Sequence, residues 1–129
     1  MGAKTILLVE DEFIIRFTLA DFLRDIGYHV LEAGDGLEGL DILNSGQSID
    51  LMVTDVHMPG GVDGIELAEH SKMLMPGRPV VVCSAHMSIS ECYPADEFHS
   101  KPYILPTLAA LIERLIGDPW QKSSQTQLA

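Results

Sequence analysis

Five short runs rich in aliphatic and β-branched residues punctuate the chain, at residues 5–9, 29–32, 51–54, 80–83 and 97–99. Between the first two, Ile15, Leu19, Phe22, Leu23 and Ile26 recur at helical spacing, and Gly27 ends the pattern as a helix C-cap would. Near the end, Leu108, Leu111, Ile112 and Leu115 repeat the same period before Gly117. The runs ILLV, LMV and VVV are apolar on both sides of the pleat. Strands of that kind belong in a parallel sheet covered by helices on both faces. Strand and helix alternate, so the pattern predicts an α/β domain built on a doubly wound parallel sheet.

Two of these strands run straight into carboxylates. Leu7 and Leu8 lead through Val9 into Glu10, Asp11 and Glu12, and DLMVTD ends on Asp55. Ligands of a doubly wound sheet sit beyond the carboxyl ends of its strands, so Glu10, Asp11 and Asp55 would converge at one edge. Taken singly, Glu10 and Asp11 are also ordinary residues at a helix start, and Asp55 is an ordinary turn residue. Together they repel: two carboxylates ~4 Å apart cost about 4 kcal/mol at an effective dielectric near 20, so the cluster calls for a cation. A hard, all-oxygen site suits Mg²⁺. The fourth strand ends at Ser84 and the fifth at Ser100, Lys101 and Pro102, adding a hydroxyl and an ammonium to the same edge. Metal, carboxylate nucleophile, hydroxyl and lysine together make a phosphoryl-transfer site, in which an aspartyl phosphate can form.

Composition narrows the function classes. The chain has 129 residues, a single domain's worth, with 47% hydrophobic and 21% charged positions. A formal net charge of -11 and the lack of a basic patch argue against nucleic acid as a direct partner. No apolar run approaches a membrane span, and residues 1–4 have no signal-peptide character, so a cytoplasmic protein without membrane association is expected. Cys83 and Cys92 lack metal-ligand spacing and read as free structural thiols. Residues 118–129 are mostly polar and read as a flexible C-terminal tail behind a domain of residues 1–117.

Four motifs in order, LLVEDE, VTDVHMPGGVDG, VVVCSAH and ADEFHSKPY, make residues 4–117 closely resemble the receiver domain of bacterial two-component response regulators. The resemblance implies a flavodoxin-like receiver fold with five parallel strands. It makes Asp55 the phosphoacceptor, charged from a sensor histidine kinase or phosphotransfer protein with Mg²⁺ as cofactor. Asp11 would bind the metal directly, Glu10 directly or through water, and His57 through its main-chain carbonyl. Ser84 and Lys101, with the amides of Val56 and Ala85, would hold the phosphoryl group. Ser84 and Phe98 would form the switch, although an inward Phe is also a common core residue. The Lys101–Pro102 bond would be cis. Self-phosphorylation and autodephosphorylation at Asp55 are expected, without turnover of a separate substrate, and output would pass to a downstream protein partner.

Two departures limit the comparison. The loop GGVDG is one residue longer than the family's usual spacing. Between Ser84 and Phe98 there is little room for the family's fourth helix, and Ile89, the nearby serines and Pro94 disfavour one, so that helix is expected to be shortened or missing. A monomer or weak dimer follows, any dimer using another face such as residues 104–116. A Mg²⁺-dependent phosphohydrolase of small phosphoesters is the alternative from another class. His57 stands where haloacid-dehalogenase-like enzymes need a second Asp. A receiver fragment of a hybrid kinase, or a receiver-like module that is never phosphorylated, completes the alternatives; the full acid, hydroxyl and lysine set speaks against the last.

Overall fold

The computed structural model describes residues 2–85, 91 and 94–120. Its elements are β1 (Thr5–Val9), α1 (Phe13–Ile26), β2 (His29–Ala33), α2 (Gly36–Leu43), β3 (Leu51–Asp55), α3 (Gly64–Leu74), β4 (Val80–Ser84), β5 (Glu97–Ser100) and α4 (Leu105–Ile116). All five strands pair in parallel, in the order β2-β1-β3-β4-β5. The α/β expectation of a five-stranded doubly wound parallel sheet therefore holds. Strands β2 to β5 each run one residue beyond the apolar pattern, to Ala33, Asp55, Ser84 and Ser100. Ladder bonds come from the main chain, so a polar side chain at the strand's last position does not end the pairing.

Every residue of β3 and β4 is buried. On one face Ile6, Leu8, Leu51, Val53, Val81 and Cys83 meet Leu19 and Leu23 of α1 and Leu108 and Ile112 of α4. On the other, Leu7, Val9, Met52, Val80 and Val82 meet Leu43 of α2 and Leu67 and Ala68 of α3. Alternate side chains thus feed two cores, which is why the strands read as unbroken apolar runs. Helix α1 ends where anticipated: Gly27 takes φ 125°, and its N–H donates to the carbonyls of Arg24 and Leu23.

The long loop before α3 is absorbed by Gly60 and Gly61, both at positive φ, before Asp63 caps the helix in a reciprocal capping box with Glu66. Gly64 comes next because nothing larger fits: a Cβ there would lie 2.0 Å from the main-chain oxygen of Asp55. Among the described residues no α-helix separates β4 from β5, where Glu91 is in 3-10 conformation; the shortened or missing helix anticipated there falls largely on residues outside the described set, as does Cys92. Cys83 is a buried free thiol. The Lys101–Pro102 peptide is cis. Residues 121–129 of the expected tail lie outside the described residues, whereas the Pro119 carbonyl accepts the Lys4 N–H at 2.9 Å. No helix among the described residues is long and apolar enough to cross a membrane.

Candidate functional site

The chain leaves β1 in opposite directions to build the two halves of the sheet, so the crevice for a ligand opens between β1 and β3. Register fills it with acids. Val9 pairs with Thr54, which puts Glu10 beside Asp55; Asp55 pairs with Cys83, and Cys83 with His99. Glu10, Asp55, Cys83 and His99 therefore form one row across the sheet, on the face covered by α1 and α4. One step on, Ser84 pairs with Ser100, and the Lys101 N–H donates to the Ser84 carbonyl at 3.1 Å. That bond aims the lysine back along the row.

The Lys101 ammonium lies between two carboxylates, 3.1 Å from Glu10 Oε1 and 3.1 Å from Asp55 Oδ2. Glu10 is fully buried and Asp55 nearly so. Tyr103 Oη–H also donates to Glu10 Oε1, at 3.1 Å, while the Glu12 N–H donates to Oε2 at 3.1 Å. Asp55 Oδ1 accepts the Val56 N–H at 2.8 Å. Arg16, paired with Glu32, holds the main-chain oxygen of Glu10 at 2.9 Å. Ligand oxygens of Glu10, Asp11 and Asp55 all lie within 4.8 Å of one another. Asp11, the most open of the three, forms no ion pair among the described residues.

Burial governs the electrostatics. It raises the pKa of Glu10, with the Glu12 N–H and Lys101 working against the rise. For Lys101 burial lowers the pKa, but hydrogen bonds and attraction from Asp55 and Glu10 outweigh it, so the ammonium is held above the ordinary lysine value. Burial pushes the Cys83 thiol up to about 12 and, with Cys83 and Glu10 nearby, keeps Tyr103 a neutral phenol. His99 is pushed down by burial, and its Nε2 accepts the Ile104 N–H at 3.4 Å. Three carboxylates against one ammonium leave the pocket under-neutralised, and every candidate ligand is a hard oxygen. The residues present therefore fit a divalent cation.

The structure brings Glu10, Asp11, Asp55 and Lys101 together as the sequence suggested. Val56, just past β3, and Ser84, last in β4, are buried, Ala85 is exposed, and His57 is exposed at the rim two residues past Asp55. Phe98 packs, half-buried, on the α2 and α3 face; its ladder partner is Val82, so Phe98 and Ser84 share that face. Sequence reasoning missed Tyr103, Arg16, His99 and the steric role of Gly64. A tyrosine directly after the Lys-Pro pair was the available signal for Tyr103; nothing local marks Arg16.

Comparison with known proteins agrees with this geometry. The model of the response regulator receiver domain family matches residues 6–113. Sensor kinase CckA of Brucella abortus is 33% identical over 121 residues, covering 89% of this chain and 13% of that protein. The crystal structure of the receiver domain from hybrid histidine kinase CckA is 38% identical, with TM-score 0.75, covering 87% of this chain and 98% of that one. Response regulator MprA of Mycobacterium avium is 34% identical over 116 residues, 86% of this chain; the chain spans 50% of that regulator's length. The structure of response regulator TrrA from Thermotoga maritima, in complex with Mg²⁺-BeF, is 30% identical with TM-score 0.78, covering 87% of this chain and 98% of that one.

Proposed function

The chain belongs to the response regulator receiver domain family, and from that premise we propose that it accepts a phosphoryl group on Asp55 from a phosphohistidine and signals through phosphorylation-dependent protein binding. The phosphodonor is a sensor histidine kinase or a phosphotransfer protein. Similarity to CckA and to MprA supports service either in a hybrid kinase or as a response regulator. The observation that carries the reading is the Lys101 ammonium bridging Glu10 and Asp55 inside a cluster of three carboxylates. Residues 1–117 form the receiver, and residues 118–129 a tail.

An Asp55 carboxylate oxygen attacks phosphorus; the phosphorus–oxygen bond forms as the bond to the donor histidine nitrogen breaks, and that nitrogen keeps the electron pair. Asp11 and Asp55, the main-chain carbonyl of His57, and Glu10 would hold Mg²⁺, and the TrrA complex with Mg²⁺-BeF supports that choice of ion. When bound, the ion screens the phosphoryl oxygens from the acid cluster. Lys101 transfers from Glu10 and Asp55 to a phosphoryl oxygen, and the Ser84 hydroxyl and the amides of Val56 and Ala85 supply further donors. Drawing Ser84 toward the phosphoryl group vacates space on the α2 and α3 face, which Phe98 enters from the same face. A shift from 1:99 to 99:1 requires roughly 5.5 kcal/mol, within reach of a few charge-assisted bonds at about 1.5–3 kcal/mol each.

Incubation with acetyl phosphate and Mg²⁺ tests the assignment. Mass spectrometry is expected to count one acid-stable, base-labile phosphoryl group, confined to Asp55. A phosphoryl group that forms equally well in the absence of any divalent cation, or on another residue, would rule the reading out.

A further inference from the structure

Glu10 carries three donors and no water-facing side. Lys101 and Tyr103 both bond Oε1, and the Glu12 N–H bonds Oε2, each at 3.1 Å. A carboxylate oxygen offers two lone pairs, so Oε1 is filled and Oε2 has one left. Lys101 is shared with Asp55 and is the group that turns to the phosphoryl oxygens. Tyr103 is anchored independently: its ring stacks on His99 with centroids 5.9 Å apart and planes at 15°, and His99 in turn accepts the Ile104 N–H. In the unphosphorylated protein the two donors therefore sit on Oε1 together and fill it.

We infer that Tyr103 is a specificity-determining residue of the metal site: by taking, beside Lys101, the second lone pair of Glu10 Oε1 in the unphosphorylated protein it confines Glu10 to one-oxygen ligation, which favours Mg²⁺ over Ca²⁺. The inference rests on the proposed reading of Glu10, Asp11 and Asp55 as cation ligands. Mg²⁺ is small, demands near-octahedral geometry and takes single oxygens. Ca²⁺ accepts a larger, looser shell and readily takes both oxygens of one carboxylate. A glutamate is long enough to turn both oxygens toward an ion, and with the phenol gone each Glu10 oxygen has one free lone pair. The phenol hydrogen bond closes that second mode without adding a charge.

Tyr103→Phe keeps the ring, its stack on His99 and the Lys101 ammonium 5.4 Å above the ring, and removes only the hydroxyl. Dissociation constants for Mg²⁺ alone and Ca²⁺ alone, from calorimetry on the full chain, are compared among wild type, Tyr103→Phe and Asp11→Asn. In Tyr103→Phe the preference for Mg²⁺ over Ca²⁺ is expected to fall about tenfold, chiefly through tighter Ca²⁺ binding. A ratio unchanged within about twofold, with Mg²⁺ binding lost in Asp11→Asn, overturns the inference and leaves the site reading standing. Undiminished Mg²⁺ binding in Asp11→Asn removes the site reading and the inference with it. Wild-type protein supplies a second measurement that needs no variant: the Tyr103 hydroxyl proton should remain in slow exchange at saturating Mg²⁺. Its loss on Mg²⁺ binding would mean the phenol is displaced from Oε1, contrary to the inference.

Discussion

The amino edge and the carboxyl edge of the same sheet are both lined with aspartates, and they use them oppositely. At the amino edge Asp50 accepts the N–H of Thr5, which opens β1, at 2.7 Å. Asp96 does the same for Val80, which opens β4, at 2.8 Å, and is neutralised by Lys72 at 2.6 Å. Each acid there meets a donor that the first residue of a strand leaves over. At the carboxyl edge, Glu10, Asp11 and Asp55 converge on one another with Lys101 as the shared counter-charge. A carboxylate ahead of a strand completes the fold, whereas carboxylates behind neighbouring parallel strands create a charge the fold does not satisfy. The unsatisfied charge is where a cation and a phosphoryl group fit.

The largest effect separating the edges is chemical. Asp55→Asn should abolish phosphoryl incorporation from acetyl phosphate, a loss of more than about 1000-fold, because an amide is no nucleophile toward phosphorus. Asp50→Asn should leave incorporation within about twofold of wild type, since among the described residues the Asp50 side chain bonds only the Thr5 N–H. Time courses by mass spectrometry on both variants check this. Residual labelling of Asp55→Asn would place the acceptor elsewhere.

Next in size is a stability effect confined to the amino edge. Asp96→Ala leaves the Val80 N–H without its side-chain acceptor and Lys72 without its ion-pair carboxylate, though still bonded to the Pro76 and Arg78 carbonyls, and should cost about 1–2 kcal/mol. Urea unfolding measures it. Phosphorylation kinetics under native conditions should not change; a slowed reaction would show that the two edges are coupled.

How far each edge could be read from sequence follows from the range of its contacts. The acids of the carboxyl edge stood out because apolar runs stop dead at Glu10 and Asp55, and strand order then forces them together. Asp50 and Asp96 gave no comparable signal, since an acid ahead of a strand looks like any turn residue. Tyr103 bonds Glu10 across 93 positions of chain, so its place after the Lys-Pro pair flags the residue but not its partner. The same holds for Gly64, whose requirement comes from the main-chain oxygen of Asp55 and not from backbone torsion. His99 was read as strand, but its role under Tyr103 depends on the cross-sheet row that register creates.

A smaller effect distinguishes the edges by pH. Burial raises the folded-state pKa of Glu10 above its ordinary value of 4.5, and the Glu12 N–H and Lys101 offset part of that rise. The folded state therefore holds this proton more tightly than the unfolded chain. Its contribution to stability is present below pH 4.5 and is lost as pH rises through the folded value. Glu10→Gln should match wild type below that range and become the more stable of the two above it, in chelator-treated protein. The gain should be smaller than the Asp96→Ala loss, because two donors already offset the burial. Urea midpoints across pH 4 to 8 test it. A difference that shrinks as pH rises would reverse the sign and with it the picture of an under-neutralised carboxyl edge.

The smallest effect concerns the amino edge's own exception. Arg78, just ahead of β4, is buried; among the described residues its Nη2 has no bonding partner and no acid stands beside it to offset the burial that lowers its pKa. Its Nε–H donates to the Ser71 hydroxyl at 3.0 Å, a neutral partner. Removing a buried charge that lacks a counter-ion relieves desolvation, while replacement by an unbranched apolar chain keeps most of the packing. Arg78→Met should therefore change stability by less than about 1 kcal/mol, the relief balanced by the donor that Ser71 loses. The double variant Arg78→Met with Ser71→Ala removes that orphaned hydroxyl and should be more stable than the single variant. Urea unfolding of the three proteins decides the point. A loss above about 2 kcal/mol in Arg78→Met would mean that the guanidinium is balanced after all, and the amino edge would then be fully compensated in both signs of charge.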